Sequence, residues 1–238
     1  MKKTYTILVM LVLLSLTTLH TSAQFIVVQD TVRGRTDFLP RLGDFQQAVL
    51  VPNDSVLYML PPNPETDPWR YADFYTPSRE IRSGYINGTK FMRIDDYEMI
   101  DVERLSSHGA ISFKGDDVRV SISVAKIPTN DSSIKHNSHG AYMVNERLAK
   151  GVAKWAVPAL RYQSISVTLK GKIITFPKRV YEHLLEPEIE NMAVYYNPEK
   201  AIVYIITNNG GTSAYYSALW VVTQKGVSTP YIFDPMNR

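Results

Sequence analysis

The sequence predicts an α+β fold: an antiparallel sheet with two helices against it, preceded by a smaller β module. Three observations carry this expectation. Between Ser164 and Thr223 short apolar runs of period two alternate with Gly- and Asn-containing turns, the pattern of strands joined by tight connections. Two other runs, Ala141–Trp155 and Pro177–Pro187, space their apolar residues three and four apart, as one face of a helix requires. A polar stretch, Asp101–Ser107, separates the chain into two composition zones and reads as a domain boundary.

Residues 1–23 read as a leader to be removed. Lys2 and Lys3 form a basic start, Ile7–Leu16 a short apolar core, and Thr21-Ser22-Ala23 a small-residue cleavage site before Gln24. The apolar run is shorter than the roughly 20 residues a bilayer span needs. Its loss removes two lysines and no carboxylate, so the formal charge falls from +3 to +1. The basicity is then mostly targeting sequence, and nucleic-acid binding loses its electrostatic argument. Export, to the periplasm or beyond, follows as an expectation. With no cysteine the chain has no disulfide, thiolate ligand or Cys nucleophile, so its stability must come from burial.

Residues 24–44 are expected to be a lead-in, partly ordered at best, with some strand character in Phe25–Val28 before Arg33-Gly34-Arg35. Within and after it, Asp30-Thr31-Val32 and Asp54-Ser55-Val56 resemble the Asp-Ser/Thr-aliphatic acceptor of O-glycans in some Gram-negative envelopes, but three residues are a weak signal and ordinary turn or strand-edge residues are the preferred reading. In residues 45–104, Ala48–Val51 and Ser55–Leu60 read as short strands. A Pro-rich loop from Pro61 to Pro77 follows, with Trp69, Tyr71, Phe74 and Tyr75, and then Arg82–Ile94. This span resembles a bacterial SH3-like domain, with Tyr85 where that family usually has Trp. The resemblance implies a small closed β-barrel. The loop aromatics then either cover the open end of the barrel or make a flat platform for peptide or glycan.

Residues 108–238 form the α+β domain. Gly109–Phe113 and Val118–Ile127 read as a hairpin about Gly115-Asp116, and Ala141–Trp155 as the first helix, with Val144, Leu148, Val152 and Trp155 on one face. Ser164–Leu169 and Lys172–Phe176 turn at Lys170-Gly171. Pro177 opens the second helix, which buries Val180, Tyr181, Leu184 and Leu185. Met192–Tyr196, Ala201–Thr207 and Ser213–Thr223 form a meander whose middle strand is apolar nearly throughout and so belongs at the centre of a sheet. Asn208 to Val222, followed by Lys225-Gly226, resembles a C-terminal block of uncharacterised exported bacterial proteins, a resemblance that implies no activity.

Catalytic patterns are sparse. No nucleophile elbow and no phosphate-cradling glycine loop occurs. His136 and His139 have an H-x-x-H spacing but lie in a polar loop without an adjacent glutamate, so they read as solvated rather than metal-ligating. Glu186, Glu188 and Glu190 read as a solvated acidic cluster. The sequence therefore assigns no catalytic residue, metal or cofactor. It points to non-catalytic recognition of an envelope protein or of a cell-wall or surface glycan, with a hydrolase of scattered site or an immunity or inhibitor protein as the other readings. Candidate binding residues are Trp69, Tyr71 and Tyr75 on the Pro-rich loop. At the Gly-rich turn they are Asn209, Gly210, Gly211, Tyr215 and Tyr216, where one of the two tyrosines must face outward.

Overall fold

A computed structural model of the chain describes residues 24–76, 80–211 and 213–235. The expected leader, residues 1–23, lies outside the described residues. The chain divides into two compact units, 1–91 and 92–238.

The first unit contains β1 (Gln24–Val28), β2 (Arg35–Leu39), β3 (Val49–Pro52), β4 (Val56–Met59), β5 (Trp69–Tyr75) and β6 (Ile81–Asn87), and its last residue begins β7 (Phe91–Arg93). They form one sheet in the order β3-β2-β6-β5-β4-β1-β7. Ile26, Phe38, Val51, Leu57, Phe74 and Ile86 meet in one apolar cluster on a single face, with Val49 and Phe91 packed against it. The sheet keeps two edges, β3 and β7, so it is not the closed barrel that the SH3-like resemblance implies. β3 ends at Pro52, which has no N–H to offer to a further strand. Nor is the span 24–44 a loose lead-in. Phe25, Ile26, Val27 and Val28 are all buried, and β1 pairs with β4 from Gln24↔Met59 to Val27↔Val56.

The second unit contains β8 (Glu98–Met99), β9 (Val102–Ser106), β10 (Ala110–Lys114), β11 (Val118–Lys126), β12 (Ile134–His136), β13 (Tyr142–Val144), β14 (Arg147–Leu148), β15 (Leu160–Leu169), β16 (Lys172–Thr175), β17 (Met192–Asn197), β18 (Ile202–Asn209), β19 (Tyr216–Thr223), β20 (Gly226–Val227) and β21 (Tyr231–Phe233). A five-stranded sheet, β16-β15-β11-β10-β9, faces a six-stranded one, β20-β19-β18-β17-β8, and β21 joins the latter through β19. Val120, Ile122, Ile165 and Val167 of the first sheet share one core with Val194, Val203, Ile205 and Trp220 of the second. The result is a β-sandwich. Trp220 is fully buried, donates its indole N–H to the Val180 carbonyl at 2.9 Å, and meets Tyr162 and Phe176 edge-on. The expected meander is present, and Ile205 in its middle strand is fully buried.

The α+β expectation is corrected: the two helices do not form. Within residues 141–155, β13 and β14 form a hairpin turning at Asn145 and Glu146, both in left-handed backbone (φ 48° and 67°), and β12 completes this small sheet from before the run. After Pro177 only a three-residue 3-10 turn, Lys178–Val180, is helical. Val180, Tyr181, Leu184 and Leu185 are nonetheless buried, as their spacing predicts. Asp101–Ser107 is no linker either, since most of it forms β9, paired with β10.

Candidate binding surface

Alternation along β5 sends Ala72 and Phe74 into the core, which leaves Trp69, Tyr71 and Tyr75 on the opposite face. Register places Tyr85 of β6 directly across from Tyr71, and their rings meet edge-to-face at 5.0 Å. The geometry depends on Gly84. It sits on the core face, where a Cβ would come within 2.4 Å of the Leu39 carbonyl and 2.8 Å of the Phe38 ring. Phe45, carried by a 3-10 turn capped by the Asp44 side chain, meets Trp69 edge-on at 6.0 Å. Phe45 is 60% exposed, Ile81 50%, Leu50 46% and Tyr71 39%. The outward side of this sheet region thus exposes apolar and aromatic side chains, with Asp73, buried and accepting from the Ser83 hydroxyl, between Tyr71 and Tyr75. Of the sequence candidates, the structure brings Trp69, Tyr71 and Tyr75 onto it. Sequence reasoning missed Phe45, Leu50 and Ile81. A lone aromatic in the polar run Gly43–Gln47 was the available signal for Phe45.

The Gly-rich turn is built differently. Tyr216 is fully buried and donates to the Leu185 carbonyl at 3.0 Å. Asn209 is also buried: its Oδ1 accepts from the Glu188 backbone N–H and the Thr207 hydroxyl, and its Nδ2 donates to the Tyr162 hydroxyl. Burial pushes the Tyr162 phenol up to about 12 and Tyr216 well above its ordinary value, so both remain protonated donors. The outward tyrosine is Tyr215, whose hydroxyl bonds Asn208 and Ser217. Gly211 donates its N–H to the Glu188 carboxylate. A Cβ on Gly210 would fall 2.2 Å from the Ala214 carbonyl oxygen, so close backbone packing accounts for this glycine. The acidic cluster is correspondingly not solvated throughout. Glu188 caps this turn, and Glu186 accepts the backbone N–H groups of Ala159 and Leu160.

A cleft of ≈ 390 Å³ in the second unit is lined by Asp131, Arg161, Lys178, Tyr181 and Glu182, among others. Asp131 accepts from the Ser133 hydroxyl and backbone N–H and pairs with Arg161, and these contacts hold its carboxyl below the usual range. Glu182 accepts from the Asn145 amide at 3.0 Å. Among the described residues no three His, Asp or Glu side chains converge as a metal site. His136 packs its ring on Tyr142 at 3.9 Å, and His139 lies beside the Ser138 hydroxyl. Of the two O-glycan acceptor motifs, Thr31 is exposed in a turn and Ser55 is half-buried.

Comparison with protein families, with curated proteins and with solved structures finds no match for this chain. The two family resemblances read in its sequence therefore gain no support there.

Proposed function

We propose that this chain is an exported binding protein that holds an envelope protein on the aromatic face of its first unit. One observation supports this reading above the others: Trp69, Tyr71 and Tyr85 lie together with exposed Phe45, Leu50 and Ile81 on one open sheet face. Tyr and Trp beside exposed aliphatic side chains are the residues that anchor the centre of a protein–protein interface, and the carboxylates on this face, Asp73 and Asp37, are already bonded to Ser83 and Arg33. Export rests on the leader pattern of residues 1–23. The carboxylates of the cleft fit this reading, since Asp131 is committed to Ser133 and Arg161 and Glu182 to Asn145.

A photo-reactive side chain at position 71 tests it in envelope extract. One discrete protein adduct is expected there and none from position 173, where Ile173 is 71% exposed in the second unit. Equal, diffuse labelling from both positions sinks the proposal.

A further inference from the structure

Trp155 stands out from the rest of the surface. It is 65% exposed, and its backbone is left-handed, φ 67°, a conformation that L residues with bulky side chains rarely adopt. Its indole packs closely against Gly140: a Cβ at that position would come within 2.4 Å of the ring. Gly140 is held in turn by the Asn137 carbonyl, while the Asn137 side chain accepts the N–H groups of His139 and Ala141. The loop is therefore a rigid seat for an exposed ring. Beside it, β12 and β13 pair His136 with Tyr142, and the His136 ring lies 5.8 Å from the indole. Val157, 85% exposed, extends the surface.

Both signs of charge lie near this platform: Lys135 and the exposed Glu146 line one recess with His136. The Lys154 ammonium lies over the indole, 5.9 Å from its centre, and Lys135 is exposed nearby in the chain. Tyr142 and Lys154 also line a recess of ≈ 290 Å³ that contains Lys150 and Asp234, whose carboxylate is taken by Lys150 at 2.7 Å. Lys154 forms no ion pair among the described residues and so retains its charge for a ligand.

We propose that Trp155, Tyr142, His136 and Lys154 form a binding site for an acidic sugar residue within a polysaccharide. A pyranose ring presents one face of C–H groups, slightly positive, which matches the negative face of an indole. The ring carboxylate then lies within reach of the Lys154 ammonium, and the sugar hydroxyls meet His136 and the Tyr142 hydroxyl. A protein partner would call for a broader apolar surface, as on the first unit, whereas this platform is one large ring edged by cations and polar groups.

The probe is polygalacturonate, compared with the same polymer methyl-esterified so that the backbone keeps its shape and loses its charge. The unmodified protein is expected to be retarded in a gel containing polygalacturonate and several-fold less in the esterified polymer. Trp155→Gly, which suits the left-handed backbone, is expected to weaken retention at least tenfold with its melting temperature unchanged. Lys154→Met, which preserves the aliphatic stem, is expected to abolish the preference for the charged polymer, whereas Lys126→Met, an exposed charge elsewhere in the unit, preserves it. Equal retention in both polymers, or none, overturns the proposal, and so does Trp155→Gly binding like the parent. If Trp155→Gly fails to fold, Trp155→Asn, which also tolerates this backbone, decides in its place.

Discussion

Gly151 lies directly against Tyr216: a Cβ on this glycine would fall 2.8 Å from the buried Tyr216 ring and 2.2 Å from the Leu185 carbonyl oxygen to which that tyrosine donates. Gly210 approaches the same place from the other side, its Cβ position 2.9 Å from the Gly151 Cα. Two glycines far apart in sequence thus let two backbones touch over one phenol. Both have left-handed φ, 89° and 86°.

The glycines of this region are therefore expected to rank by space, not by sequence. Gly151→Ala and Gly210→Ala each combine backbone strain of about 1–2 kcal/mol with a clash against main chain that cannot move aside. Gly211→Ala meets no atom within 4 Å and carries only the strain of its φ of 56°. Denaturant titration should show the first two losing at least about 2 kcal/mol more than the third. Equal losses would show that the close approach is not limiting.

A second prediction concerns acid. His183 is 3% exposed. Its Nε2 faces the Arg147 guanidinium at 3.2 Å, and its Nδ1 has no partner among the described residues. Burial first, then the charges of Arg147 and Lys150, pull its pKa down to about 3. The neutral ring is the folded form, whereas the unfolded ring titrates near 6.5. Stability from this site is fully present above about pH 6.5 and is lost as pH falls from there towards 3, by up to about 1.4 kcal/mol per unit. Asp30 and Asp131 also have lowered pKa values, but their contribution disappears only below about pH 4, their ordinary titration range. Between pH 6.5 and 4.5, His183→Phe should flatten the stability curve. An unchanged slope in that variant would remove His183 as its source.

What the sequence reveals here is burial more reliably than backbone conformation. The spacing of Val180, Tyr181, Leu184 and Leu185 identifies four buried side chains, yet no helix carries them. The Val180 carbonyl is taken by the Trp220 indole, and the Lys150 and Leu185 backbones bond each other, so the chain's polar groups are satisfied across the fold instead of along a helix. Such partners are invisible to a periodicity argument. In 141–155 the warnings are local: Gly140 precedes the run, Gly151 interrupts it, and Asn145 readily adopts the left-handed turn that splits it. The meander was legible because alternation and Gly-Asn turns coincide there. For the binding surface, the sequence marks Trp69, Tyr71 and Tyr75 but assigns them to a Pro-rich loop, whereas they lie on the strand β5. Only that strand puts them on one face, only register adds Tyr85, and only the chain's path adds Phe45.

The core supplies a third prediction. Ile205 is fully buried between β17 and β19, among residues of both sheets. Ile205→Asp places an isolated carboxylate there at a cost of several kcal/mol, much of an ordinary domain's stability. The variant should partition into the insoluble fraction. A soluble, normally melting protein would remove β18 from the centre of the sandwich.

Processing is a fourth. Gln24 already pairs with Met59 in β1, so a chain that begins at Gln24 keeps every described pair of this strand. Mass spectrometry of protein recovered from the envelope should find an N-terminus at Gln24, cyclised or not. An intact Met1 in that material would refute cleavage.

The last prediction separates recognition from architecture with two tyrosines. Tyr216 is fully buried with its hydroxyl satisfied, so Tyr216→Ala should cost about 3–5 kcal/mol, the usual range for an aromatic lost from a core. Any loss of binding in that variant would follow its loss of folded protein. Tyr71 is 39% exposed and touches Tyr85 edge-on, a contact worth about 1 kcal/mol. Tyr71→Ala should therefore leave the melting temperature nearly unchanged. If the face of β5 and β6 is the interface centre, the same truncation removes an anchor and weakens binding by about 1–3 kcal/mol, roughly tenfold to a hundredfold. The partner captured by cross-linking at position 71 is the ligand for this titration. Binding that survives Tyr71→Ala, Trp69→Ala and Phe45→Ala together would leave the aromatic face as mere covering of the sheet.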